Sequence, residues 1–122
     1  MTEKNALNAV LAFVAVALLV TVVLGYFYMQ ASQRMILYYG YDCPHCKLVE
    51  QFISENNLTE KFGIAQLEIK NNTFNMIKFQ KAAQKCNISE KNFGVPMLVA
   101  DGVCYQGDID SINFLRNKMN SG

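Results

Sequence analysis

A single histidine, His45, occurs in the 122 residues, and that scarcity excludes two kinds of site. A histidine-rich metal cluster has no ligands here, and no second histidine exists to serve as a remote base. Cysteine is also sparse. Four residues, Cys43, Cys46, Cys86 and Cys104, are too few and too irregularly spaced for a disulfide-stapled miniprotein, so they read as one redox pair plus two others. Neither sign of charge is in excess. Eleven basic and ten acidic residues are interspersed for a formal net charge of +1, which leaves no electrostatic footprint for nucleic acid. There is no internal repeat and no low-complexity tract, and the length allows one domain and little else.

Charge is missing altogether between Ala9 and Tyr28, where only Thr21 and Gly25 interrupt an apolar run. About 20 apolar residues suffice for a helix to cross a hydrocarbon core roughly 30 Å thick. The chain therefore divides into a short polar head at 1–8 carrying Glu3 and Lys4, a transmembrane anchor at 9–29, a short linker at 30–33 and a folded domain at 34–122. Tyr26 and Tyr28 suit the membrane interface. A cleavable signal peptide is the alternative, but its apolar region runs only about 7–15 residues and ends in a small-x-small site. Met29-Gln30-Ala31 fits that pattern poorly, so an uncleaved single-pass anchor is expected. The α-amine and Lys4 at one end are nearly balanced by Arg34 and Lys47 at the other, and charge does not orient the span. From Met29 to Gln33 the chain reaches at most about 3.3–3.6 Å per residue, which holds the domain close to the bilayer. Its substrates are then membrane proteins, or soluble ones that approach the lipid.

Met35 to Tyr39, with Arg34 before it, reads as a buried strand ended by Gly40. A helix follows to about Asn56, with Leu48, Val49, Phe52 and Ile53 as its apolar stripe and Lys47, Glu50, Gln51 and Glu55 left for water. Ile64 to Ile69 forms a second strand with Ile64, Leu67 and Ile69 inward. Asn71-Asn72-Thr73 caps a second helix to about Cys86, on which Phe79, Ala82, Ala83 and Cys86 share a face. Phe93 to Ala100 reads as a strand despite Pro96, which belongs at a strand start or an edge. Asp101-Gly102 signals a two-residue hairpin to Val103-Cys104-Tyr105-Gln106. Asp108 or Asp110 then caps a last helix with Ile112, Leu115 and Met119 inward. The order is β-α-β-α-β-β-α after the anchor.

The chemistry sits in Cys43-Pro44-His45-Cys46, between the first strand and the first helix of the domain. C-x-x-C at a helix start puts two sulfurs one turn apart, close enough to join. Cys43, at the helix N-terminus, faces unpaired N–H groups that stabilise its thiolate relative to a free thiol of pKa about 8.5. His45 adds positive charge beside it. Pro44 suits the first turn, where a backbone N–H has no intrahelical acceptor. These residues point to thiol–disulfide exchange, with Cys43 attacking and Cys46 resolving, and with no cofactor. Tyr38 and Tyr39 are expected in or beside the strand, and Tyr41 exposed near Cys43 as a substrate contact.

Cys43-Pro44-His45-Cys46 after the first strand, Val95-Pro96 before the third, then a hairpin and a terminal helix: in this arrangement the chain from about Arg34 to Met119 resembles the thioredoxin superfamily at its compact, glutaredoxin-like size. The resemblance implies an α/β fold around a central four-stranded mixed sheet. It also implies a cis Val95–Pro96 bond beside the two cysteines, and a role for Val95 and Pro96 in docking an extended substrate segment. Pro44-His45 is similar to the inner dipeptide of the periplasmic disulfide-forming oxidases. Those carry a large helical insertion for which there is no room here. Where glutaredoxins place a lysine that holds glutathione, this sequence has Gly40, and their double-glycine motif survives only as Gln106-Gly107, followed by Asp108 and Asp110.

Three functional readings follow. The first is a membrane-anchored oxidoreductase acting on protein thiols or disulfides near the bilayer, recycled by a redox partner and placed on the periplasmic or exoplasmic side, since disulfide chemistry on proteins is used mostly outside the cytosol. The second is a non-catalytic thioredoxin-like binding module, and the third a glutathione-linked, glutaredoxin-like reductase on the cytosolic side. The presence of both cysteines and the proline favours an enzyme over the binding module. Zinc held by the C-x-x-C with Cys86 and Cys104 is disfavoured because the latter two lack a knuckle spacing. Cys86 and Cys104 are read as buried free thiols, with a second disulfide as the alternative.

Overall fold

The computed structural model describes residues 2–30 and 35–122, which fall into two compact units, an N-terminal helix and an α/β unit. The helix, α1, runs Thr2–Gln30. Residues 2–8 of the polar head are its first turns rather than a separate segment, and Glu3 lies in the first turn, where an anion is favourable. At 1.5 Å per residue the uncharged stretch alone covers about 30 Å. One helix, Thr2–Tyr28 by this measure, is thus long and apolar enough to cross a membrane. Of the expected linker, Gln30 ends α1 and positions 31–33 lie outside the described residues, as do Met1 and Arg34.

The second unit is built on four strands, β1 Met35–Tyr39, β2 Ile64–Glu68, β3 Met97–Ala100 and β4 Val103–Gln106, in the order β2-β1-β3-β4. β1 pairs with β2 in parallel, with Leu37 opposite Gln66, and with β3 antiparallel, with Leu37 opposite Leu98. The sheet is therefore mixed and four-stranded. Alternation along β1 sends Met35 and Leu37 to one face and Ile36 and Tyr38 to the other. The first face carries α2, Pro44–Glu55, and α5, Gly107–Ser121, closing a core of Leu37, Val49, Ile53, Leu58, Leu98 and Leu115. α4, Thr73–Lys85, lies on the second face, where Phe79 and Ala83 pack with Tyr38, Ile69 and Met97. Burial pushes the Tyr38 phenol above its ordinary pKa.

Local chemistry accounts for most boundaries. The Asn72 side chain accepts the N–H of Asn75 and caps α4. Asp101 and Gly102 both have positive φ, 49° and 81°, the backbone that a two-residue hairpin with twisted strands requires.

Elsewhere the structure departs from the sequence reading. A five-residue helix, α3, Leu58–Phe62, lies between Asn57 and Gly63, both left-handed, and seats the fully buried Leu58; it is too short to show a period. β3 starts at Met97, after Pro96, because Phe93 to Pro96 follow a single 3-10 turn, Glu90–Asn92, rather than pairing. α5 starts one position before Asp108. Gln106 holds the cap position without a side-chain capping bond, and Asp108 and Asp110 lie in the first turn. On α2 the buried stripe is Cys46, Val49 and Ile53, while Leu48 is 49% exposed. Glu50 is half-buried rather than in water, and burial raises its carboxyl pKa against the pull of Lys47.

Candidate redox site

The two sulfurs of the C-x-x-C meet at the start of α2. Cys43 is the N-cap residue, with extended φ and ψ of −97° and 111°, and Pro44 occupies the first helical turn. The N–H of Cys43 is held by the carbonyl of Gly40 at 3.2 Å, which fixes the turn leaving β1. Cys43 Sγ in turn accepts the N–H of Cys46 at 3.1 Å, so the sulfur performs the capping that an Asp or Ser oxygen performs elsewhere. Cys43 and Cys46 are joined as a disulfide with Cα atoms 5.2 Å apart, inside the usual range. Their surroundings differ. Cys46 is fully buried on the inward stripe of α2, whereas Cys43 is half-buried and reachable.

Val95 and Pro96 are brought to this place from the far side of the sequence. The carbonyl oxygen of Val95 lies 3.7 Å from Cys43 Sγ, and the Val95–Pro96 bond is cis. Pro96 is buried, and its carbonyl accepts the N–H of Gly107 at 2.9 Å, so the start of β3 and the start of α5 are tied together. Gly107 takes φ +83°, a left-handed backbone that glycine adopts without steric cost.

His45 points outward, its side chain 70% exposed, and its Nδ1 lies 3.3 Å from Oδ1 of Asp108 on the first turn of α5. The sequence reading gives Asp108 as a helix cap and as a residue following the Gln106-Gly107 remnant, not as a partner of His45. No local pattern signals its contact, because the fold alone brings the α5 start against the α2 start. Asp108 is consequently a site residue that sequence reasoning missed.

A second ion pair, Lys70 with Asp42, braces the loop between β1 and Cys43. The hydrogen bond from Lys70 holds the Asp42 carboxyl below its ordinary pKa, and the same bond raises Lys70. The stem of Lys70 crosses Gly40 so closely that a Cβ there would sit 3.3 Å from its Cε. Glycine at position 40 thus leaves space for a lysine arriving from another element. Glu68 fixes that element by accepting the N–H groups of Lys70 and Asn71 at 2.8 and 2.7 Å. Tyr41 is 58% exposed, two positions before Cys43, while Tyr38 is buried against Phe79.

Cys86 and Cys104 are not free. They are joined, with Cα atoms 6.1 Å apart, linking the C-cap of α4 to the middle of β4, and both are half-buried rather than fully enclosed. Sequence gives no Cα separation, and the placement of both cysteines on apolar faces points to buried thiols as readily as to a link.

No protein-family model and no curated protein matches this sequence. Solved structures do. Glutaredoxin C1 of Populus tremula x tremuloides, in its holo form, aligns with TM-score 0.52 and 14% identity over 74% of this chain and 82% of its own. A glutaredoxin from Archaeoglobus fulgidus aligns with TM-score 0.51 and 18% identity over 73% and 92%, and oxidized glutaredoxin 2 from Chlamydomonas reinhardtii with TM-score 0.50 and 18% identity over 72% and 76%. At such identities the likeness is one of fold: the α/β unit has the thioredoxin-like fold, in the compact form that glutaredoxins share.

Proposed function

We propose that the chain is a membrane-anchored thiol–disulfide oxidoreductase that acts on protein disulfides or thiols close to the bilayer, with Cys43 as nucleophile and Cys46 as resolving thiol. The observation that carries this reading is the asymmetry of the pair. Cys43 Sγ is reachable, accepts a backbone N–H and lies at a helix N-terminus, whereas Cys46 is enclosed. Donors aimed at a sulfur favour its anion, and the anion is the attacking species. In the reducing direction the Cys43 thiolate attacks one sulfur of a substrate disulfide, forming a mixed disulfide and releasing the other sulfur as a thiolate. Cys46, losing its proton, then attacks Cys43 Sγ, which expels the second substrate thiol and leaves the Cys43–Cys46 disulfide. The oxidising direction is the same sequence in reverse.

Val95 and Pro96 serve as the docking edge, supported by the placement of the Val95 carbonyl beside Cys43, and Tyr41 as a flanking contact. Pro44-His45 supports oxidation or isomerisation as the working direction, since a cation that stabilises the thiolate makes the disulfide the stronger oxidant. The uncharged run of α1 supports a single-pass anchor, with the domain on the periplasmic or exoplasmic side, where a membrane redox partner recycles the dithiol.

The test is alkylation of the reduced full chain against pH, read separately at each cysteine. Cys43 is expected to titrate well below a free thiol and to react before Cys46. A midpoint near the free-thiol value of about 8.5, with no preference between the two, contradicts the assignment. Labelling of Cys43 in intact cells with a membrane-impermeant reagent after mild reduction tests the side.

A further inference from the structure

Lysine is concentrated on one helix of an otherwise balanced surface. α4 carries Lys78, Lys81 and Lys85, all exposed, and no acidic residue anywhere between Thr73 and Lys85. Their spacing of three and four places them on one stripe. Phe74 and Ile77 continue the same stripe toward the helix start, 79% and 42% exposed. Beside the lysines an open groove of about 490 Å³ runs between α4 and the sheet, floored by Ile36 and Val99 and walled by Ala82. α4 thus has two faces: Phe79 and Ala83 inward, and outward a basic row with exposed apolar side chains at its leading end. The combination is that of helices which lie on anionic bilayers, lysines on phosphates and aromatic or aliphatic side chains among the headgroups.

We propose that the outer face of α4 is a contact surface for anionic phospholipid headgroups, with Lys78, Lys81 and Lys85 binding phosphate and Phe74 and Ile77 entering the interface. The inference rests on the reading of α1 as a membrane anchor, and chain length supports it. Only six steps of chain separate Gln30, the last residue of α1, from Ile36 in the groove floor, at no more than about 3.3–3.6 Å each. A surface tethered so shortly meets lipid at high effective concentration, and a lysine row facing anionic lipid gains attraction that a neutral bilayer does not offer. Docking by α4 would set the orientation in which Cys43 meets membrane-borne substrates.

The test uses the full chain in lipid nanodiscs of phosphatidylcholine alone and of phosphatidylcholine with phosphatidylglycerol. Lysine acetylation is followed residue by residue, with Lys47, Lys61 and Lys118 as internal references. Acetylation of Lys78, Lys81 and Lys85 is expected to slow by about threefold or more in the anionic discs, with the references unchanged and the effect lost in high salt, where the Debye length falls to about 3 Å. Equal rates in both discs, the result if α4 serves an acidic protein partner instead, overturn the proposal while leaving the anchor intact. A chain that stays out of both kinds of disc overturns the anchor reading and this one with it.

Discussion

His45 Nδ1 faces Asp108 Oδ1 at 3.3 Å, so the residue between Pro44 and Cys46 is paired with a carboxylate from the last helix. A protonated imidazole beside Cys43 favours its thiolate, but here the carboxylate offsets that positive charge. Replacing Asp108 with Asn removes the offset and keeps the shape. Whenever the imidazole carries a proton, its charge then acts on the sulfur without a carboxylate beside it. The Asp108→Asn variant is expected to lower the pH midpoint of Cys43 alkylation by about half a unit to one unit, the scale of one unscreened charge at a partly exposed site. His45→Ala in the same background is expected to cancel the change. An Asn variant that titrates like the parent shows that the pair does not govern the thiolate.

Cys46 is enclosed while Cys43 is reachable, and on the proposed roles this decides which single substitution traps a complex. Cys46→Ala leaves the attacking sulfur and removes the resolving one, so the mixed disulfide between Cys43 and substrate is expected to accumulate and to disappear on reduction. Cys43→Ser is expected to form none. Non-reducing electrophoresis after quenching with acid reads both, and a comparable adduct on Cys46 in the Cys43→Ser variant defeats the assignment of roles.

Much of this site was legible because its signals are local. Cys43-Pro44-His45-Cys46 declares a helix start by itself, and Asp101-Gly102 declares its hairpin by the positive φ both residues adopt. Strand β1 showed as an apolar run bounded by glycine. What could not be read is whatever depends on two distant segments meeting. Asp108 became a partner of His45 and Cys86 met Cys104 only through the packing of α5 and α4 on opposite faces of the sheet, and Lys70 crossed Gly40 only through the parallel pairing of β1 with β2. α3 escaped for another reason: five residues span little more than one turn, and a period needs at least two.

Asp42 and Lys70 give the loop before Cys43 a pH dependence whose sign can be worked out. The folded pKa of Asp42 lies below its ordinary 3.8, first because of the hydrogen bond from Lys70, so its contribution is present above that value and is lost as pH falls through the folded one. Lys70 is raised above 10.5 by the same bond, and its contribution is lost as pH rises through the folded value. The brace therefore holds across the range between. Both side chains are about half exposed, 48% and 46%, so the effect on global stability is small and the informative measurement is local. Lys70→Met is expected to return the Asp42 carboxyl to the ordinary range in an NMR titration, and an unchanged midpoint shows that the two do not pair.

Cys86 and Cys104 close a loop with a sequence separation of 18, holding the end of α4 to the edge strand β4. A cross-link over a loop of that size restricts the unfolded chain by about 3 kcal/mol on the chain-entropy estimate. Packing adds little, since both sulfurs are only half-buried, with backbone oxygens of Ala82 and Gly102 at 3.7 and 3.8 Å. Replacing both cysteines with Ala is therefore expected to lower the unfolding free energy of the α/β unit by about 2–4 kcal/mol in urea under oxidising conditions. The midpoint for Cys43 alkylation is expected to stay where it was, because this link lies between α4 and β4 and the redox pair at the start of α2. Equal stability of the double variant and the parent means that the link does not form, whereas a shifted Cys43 midpoint means that it also shapes the redox site.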